Sequence, residues 1–249
     1  MKKKLIFSII ALVLVIAMLA YVIYGYYTKK TRKIENPIVT MEIADYGTVK
    51  MELFPEYAPE TVKNFIKLIN EGYYDGLTFH RIEENLIQGG DKQGDETGSP
   101  EYTIKGEFAI NDYNQNKLKF ERGTVGLARQ DYTQYYYYTG DTSIIKEGYN
   151  SGCEQFFIMT EDDENFNGYY AAFGKVTEGI EIIDSLTTLE TTKKTDSETG
   201  EETSTSTPVN PPIITKMTVD TFGIKYDEPE KLEPFDIQSW FSKYFSYGS

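Results

Sequence analysis

The apolar residues between Pro37 and Gly223 arrive in short bursts, each cut off by turn-forming residues. LTFHRI, NLIQGG, TVGLAR, EQFFIMT, AAFGKV and PIITKMTVDTF are too brief for ordinary helices and rich in β-branched and aromatic side chains. Many short strands with few helices confine such a chain to a sandwich or a closed barrel. The first of them, IVTMEIADYGTVKMELF, alternates apolar and polar about the turn Asp45-Tyr46-Gly47, which predicts a hairpin with strands near 38–43 and 48–54. Two stretches of this region carry helical spacing instead. APETVKNFIKLINEGYY sets Val62, Phe65, Ile66 and Ile69 on one face, with Pro59 suited to a first turn and Gly72 to the exit. Glu178 to Leu186 does the same with Ile180, Ile183 and Leu186.

A segment of another kind precedes this region. Leu5 to Tyr24 has no charged residue, and at about 1.5 Å per residue it matches a hydrocarbon core of roughly 30 Å. It exceeds the roughly 7–15 apolar residues of a cleavable signal peptide, and Met18-Leu19-Ala20 makes a poor cleavage site. The expectation is an uncleaved single-pass anchor. Residues 1–27 then form a basic start and transmembrane helix, 28–36 a basic stalk, 37–223 the main domain and 224–249 a tail with Trp240, Phe241, Tyr244 and Phe245. Lys2, Lys3 and Lys4 on one side face Lys29, Lys30, Arg32 and Lys33 on the other, so the positive-inside rule is nearly balanced. A very short basic N-terminus usually stays in the cytoplasm, which places the large domain outside it.

Charge and rare residues exclude several chemistries. Beyond residue 33 the chain carries 18 basic against 39 acidic side chains, a net of −21, which repels nucleic acid phosphates and anionic headgroups. One cysteine, Cys153, and one histidine, His80, exclude a disulfide framework and any Cys- or His-rich metal site. GGDKQG lacks the Gly-Lys-Ser/Thr ending of a phosphate loop. DENFNG, Asp163 to Gly168, copies the opening of a calcium loop, yet its twelfth position is Gly174 rather than a bidentate Glu, so a turn is the better account. No Gly-x-Ser-x-Gly elbow is present. Two loops stand out: Thr187 to Pro208 is polar and Thr-rich and reads as disordered, and Arg129 to Asn150 is long and holds Tyr135 to Tyr138 in a row.

The sole histidine sits in FHRIEENLIQGGD, Phe79 to Asp91. Strand alternation gives Phe79 and Arg81 one face and His80 the other. On residues alone a surface arginine with a satisfied edge histidine is the better account. The stretch resembles the signature of the cyclophilin-type peptidyl-prolyl isomerases: Phe-His-Arg, a short variable stretch, then Gln-Gly-Gly-Asp. Further similarities follow in order: YTIKGEF at 102–108, RGTVGLAR at 122–129, NSGCEQFFIMT at 150–160, NGYYAAFGKVTEGIEIID at 167–184 and PPIITKMTVDTFG at 211–223.

The resemblance implies an eight-stranded closed antiparallel β-barrel capped by two α-helices, acting as a monomer on Xaa-Pro polypeptides without cofactor or metal. By the same resemblance Arg81 is the catalytic donor, Gln88 holds it, and His80 has an orienting role. Leu86, Phe157, Phe166 and Tyr170 would line a proline pocket, with Ala128 and Gln155 along the groove and the backbone of Arg129 pairing with substrate. Phe156 alternates to the core side. The segment from Arg81 to Gln88 is one residue shorter than in most members, and Asn85-Leu86 replaces a usual Phe-Met pair, so one pocket wall is expected to be reduced. Asn165 and Tyr170 stand where many members have Trp and His. Two functions follow: an isomerase assisting the folding of exported proteins, or a catalytically weak binding module that uses the Tyr-rich loop.

Overall fold

The computed structural model describes residues 2–31, 35–95, 98, 100–195 and 202–245. The chain divides into two units, Met1–Glu35 and Asn36–Ser249. The first is a single helix, α1 (Lys2–Thr31), whose stretch Ile6–Tyr24 is long and apolar enough to cross a membrane, as an anchor or a signal sequence is. The helix runs four residues into the expected basic stalk, of which 32–34 lie outside the described residues.

The second unit is mainly β. The predicted hairpin is β1 (Ile38–Ile43) with β2 (Gly47–Leu53), and its alternation buries Val39, Met41, Ile43, Val49, Met51 and Leu53. The turn uses Asp45 at φ 65° and Gly47 at φ 119°. Then come α2 (Pro59–Asn70), β3 (Phe79–Ile82), β4 (Leu86–Gly89), β5 (Thr124–Leu127), α3 (Thr133–Thr139), α4 (Ser143–Tyr149), β6 (Phe156–Met159), β7 (Ala171–Glu178), α5 (Ile180–Leu186), β8 (Thr191–Thr195), β9 (Glu202–Pro208), β10 (Ile214–Asp220) and α6 (Ile237–Phe245). Eight strands join in one antiparallel sheet, ordered β10-β1-β2-β7-β5-β6-β4-β3.

That sheet is curled but not closed, which corrects the expected barrel. Its edge strands β3 and β10 share no ladder; near them a single bridge pairs Thr78 with Ile213, and Phe79 N donates to Pro212 O at 3.0 Å. Pro211 and Pro212 have no N–H to donate, so pairing cannot run on through them.

Helix α2 packs against β7 and β10, and α5 packs against β2. Pro59 opens α2, and Val62, Phe65, Ile66 and Ile69 are buried as their spacing requires. Ala58, at the start of α2, has no side chain that could cap it. Glu107 caps the helix from a distant loop, its carboxylate accepting from Glu60 N at 3.0 Å, Thr61 N at 2.8 Å and Thr61 Oγ1 at 2.7 Å. Inside the curl, Phe65 meets the rings of Tyr74, Phe156 and Phe173 at 5.0–5.4 Å between centroids.

Three segments differ from expectation. Thr187–Pro208 holds an ordered pair of strands: β8 pairs antiparallel with β9, and the Oγ1 atoms of Thr192 and Thr205 lie 2.6 Å apart. Residues 196–201 between them lie outside the described residues. Threonine is a strong strand former, a property that polarity obscures when a segment is read by composition. The Tyr-rich loop contains two short helices, α3 and α4, and the tail contains α6, so the unit has more helices than the two expected.

Candidate active site

Arg81 stands on β3, which pairs with β4 so that Arg81 faces Gln88 across the ladder. The register shifts between Phe79 and Arg81, placing His80 in a bulge. The extra residue breaks the alternation read from the sequence. Phe79 therefore packs in the core, fully buried against Phe156 at 6.1 Å between centroids, while Arg81 on the expected same face turns outward into a groove. His80 is 3% exposed and does not line that groove.

The groove encloses about 170 Å³ and brings together Arg81, Leu86, Gln88, Ala128, Arg129, Gln155, Phe157, Phe166 and Tyr170, nine of the ten residues expected at the site. A string of side chains runs along one wall. Arg81 Nη1 donates to Gln88 Oε1 at 3.1 Å, and Gln88 Nε2 donates to Gln155 Oε1 at 2.8 Å. Gln88 is itself 6% exposed, so its amide is held away from water with both ends engaged.

The other wall is apolar. Leu86, Phe120, Phe157, Met159 and Ala172 form a cluster distinct from the main core, and Ala128, Phe166 and Tyr170 pack against it. Phe157 meets Phe166 at 5.5 Å and Tyr170 edge-on at 5.6 Å between centroids. Phe156, the next residue, points the other way into the core, as its alternation required.

Four features escaped the sequence reading. Phe120 lies beneath Phe157, stacked at 5.6 Å and 20°, and fixes the tilt of the wall. Its sequence signal is only an aromatic two residues before the Arg-Gly-Thr-Val run. The side chain of Arg129, expected to matter through its backbone, lies 4.6 Å from the Tyr170 ring and donates from Nε to Tyr169 O at 3.0 Å. Asn85, on the shortened segment, turns away and donates to Asp163 Oδ2 at 3.0 Å, so that of the Asn85-Leu86 pair it is Leu86 that lines the groove. Glu83 accepts from Arg81.

The chemistry open to this groove is non-covalent. Cys153 lines it, but burial first, then the neighbouring Glu154, pushes its thiol well above the ordinary value, so no thiolate is available at neutral pH. Burial also raises Glu154. What remains is a guanidinium with fixed orientation opposite an aromatic wall. That combination suits a ligand with one apolar ring beside a polar amide.

Comparison with known proteins agrees with the geometry. Residues 38–219 match the family model described as cyclophilin type peptidyl-prolyl cis-trans isomerase/CLD. Peptidyl-prolyl cis-trans isomerase B of Bacillus subtilis is 38% identical over 152 residues, 61% of this chain and 91% of that protein. A peptidyl-prolyl cis-trans isomerase of Helicobacter pylori is 34% identical over 168 residues, 61% and 90% of the two chains. The crystal structure of a cyclophilin type isomerase from Cryptosporidium parvum superposes with a TM-score of 0.56 at 27% identity, covering 74% of this chain and 98% of that one. An isomerase motif, an ordered groove and relatives matched over nine-tenths of their length coincide in one unit: the chain belongs to the cyclophilin-type peptidyl-prolyl cis-trans isomerases.

Proposed function

We propose that Arg81 lowers the barrier to Xaa-Pro rotation by donating to the amide nitrogen of the twisted state, with the proline ring held against Phe157, Phe166 and Tyr170. Rotation costs about 18–20 kcal/mol because the nitrogen lone pair is conjugated into the carbonyl. Twisting returns that pair to the nitrogen, which then accepts a hydrogen bond that the planar amide cannot. A guanidinium is always charged and presents fixed donors. Gln88 aims it, Gln155 aims Gln88, and the backbone at Arg129 pairs with the substrate chain. His80, buried within β3, orients the strand rather than moving a proton.

The observation that carries this reading is the Arg81–Gln88–Gln155 string lying opposite the aromatic cluster in one groove. A charge-assisted hydrogen bond contributes roughly 1.5–3 kcal/mol, whereas a 10⁵-fold acceleration needs about 7 kcal/mol. The apolar wall and fixed backbone contacts supply the remainder. Magnetisation-transfer NMR on an Xaa-Pro peptide, with the full chain in detergent, tests this. Arg81→Ala should lower kcat/KM roughly 10- to 150-fold; an unchanged rate would sink the assignment.

The helix α1 serves in this reading as a membrane anchor, and the domain assists exported polypeptides beyond the membrane as a monomer. A second reading is a catalytically weak binding module, and the observation favouring it is the pair Tyr137 and Tyr138, each 77% exposed on α3. A well-folded wild type without acceleration would select it.

A further inference from the structure

The turn from β3 to β4 sets a carboxylate against the arginine of the groove. Arg81 stands on β3 and Glu83 just beyond its end, where the chain enters the turn, and their side chains meet. Glu83 Oε1 accepts from Arg81 Nε at 2.9 Å and from Nη2 at 2.6 Å, while Gln88 Oε1 accepts from Nη1 at 3.1 Å. The two acceptors grip different edges of one planar group. Gln88 alone would leave the fork free to swivel about that contact; the two together define both its plane and its direction.

The turn that carries Glu83 is itself tied down. Glu83 N donates to Leu86 O at 2.8 Å, Thr160 Oγ1 donates to Glu84 O at 2.8 Å, and Thr160 N donates to Asn85 O at 2.9 Å. Asn85 adds its side-chain bond to Asp163. Each residue of the turn thus has a partner at the end of β6 or beyond it, or across its own hairpin. The carboxylate is presented from a fixed backbone, not from a wandering loop. A half-exposed ion pair contributes little to stability, so stability is a weak reason for so many constraints on this turn.

We propose that Glu83 is a positioning residue for catalysis, fixing the guanidinium of Arg81 in the orientation that meets the twisted amide. This rests on the reading of Arg81 as the donor to that amide. A planar Xaa-Pro nitrogen accepts no hydrogen bond, so the orientation Glu83 imposes is used in the transition state and hardly at all in the bound ground state. Its loss falls on kcat and spares KM.

The test compares wild type, Glu83→Ala and Glu83→Gln as full chains in detergent. Peptide exchange NMR gives kcat and KM, and the Arg81 side-chain Nε–H cross-peak gives the orientation directly. Glu83→Ala is expected to lower kcat about tenfold with KM within about twofold, and to shift and broaden the cross-peak. Glu83→Gln keeps a neutral acceptor at the same reach and should keep most of the rate and the cross-peak position. A rate in Glu83→Ala equal to or above wild type overturns the proposal, because the carboxylate would then only temper the arginine's charge. Equal losses in both variants overturn it too, because charge and not placement would be the cause. Wild type with no acceleration defeats the isomerase reading itself, and the positioning role with it; an active wild type indifferent to Glu83→Ala defeats the positioning role alone.

Discussion

Gly126 lies beneath the groove's aromatic wall, where a β-carbon would stand 2.7 Å from Cε1 of Phe120 and closer still to Cζ of Phe157. Only a residue without side chain lets those two rings stack. Gly126→Ala must therefore tilt Phe157 into the pocket. We expect it to raise KM for an Xaa-Pro peptide severalfold and to cost about 1–3 kcal/mol of stability, read by peptide exchange and urea unfolding. At this scale the sequence was informative where a motif fixes residue type and spacing, as with Arg81, Gln88 and Phe157. It was silent on Phe120 and Glu83, whose roles come from chain segments that meet only after folding. Glu83 looks like one more acidic residue in an acidic domain until the turn delivers it to Arg81.

Among elements, alternation and helical spacing placed β1, β2, α2 and α5 to within a residue or two. Where they failed, a local event had changed the period. The bulge at His80 sends Phe79 inward and Arg81 outward, though two residues apart they were read as sharing a face. The tyrosine insert shows a different limit. Its helix α3 has too few residues to stand alone and is completed by the tail: Tyr135 meets Trp240 at 6.2 Å and Phe241 at 5.0 Å between centroids, and Tyr132 meets Phe235 at 5.9 Å. Asp141 joins the pieces, accepting from Trp240 Nε1 at 3.1 Å and Tyr244 Oη at 2.7 Å. Donors from Ser143, Tyr244 and Trp240 hold its carboxyl well below the ordinary 3.8. A lowered folded value means that the clasp is complete above 3.8 and weakens only as pH falls through that lower value. Trp240 is the sole tryptophan and 8% exposed, so its fluorescence reports the clasp. Emission should hold from neutral pH down to 3.8 in wild type, and Asp141→Ala should red-shift it at neutral pH; an unmoved spectrum in the variant would show that the rings dock without the carboxylate.

For the whole molecule, the eight strands of the main sheet were legible because each apolar run is bounded by its own turn residues, whereas β8 and β9 in the polar, Thr-rich segment were not. Closure was not legible. It depends on whether the last edges meet in register, and Pro211 and Pro212 stop that pairing. Nor does a balanced set of flanking lysines decide on which side of a membrane the domain lies. Alkaline phosphatase fused after Ser249 is expected to be active in a bacterial host, and a cytoplasmic reporter at the same point silent; the reverse pattern would place the domain inside.

The antiparallel register of β1 and β10 sets Ile38 opposite Asp220, so the sheet begins and ends at one place. Two opposed residues in such a ladder lie about 5 Å apart. The domain is accordingly a cassette: it can be spliced into a surface loop of a host protein, or its ends joined and new ones cut elsewhere, without pulling its strands apart.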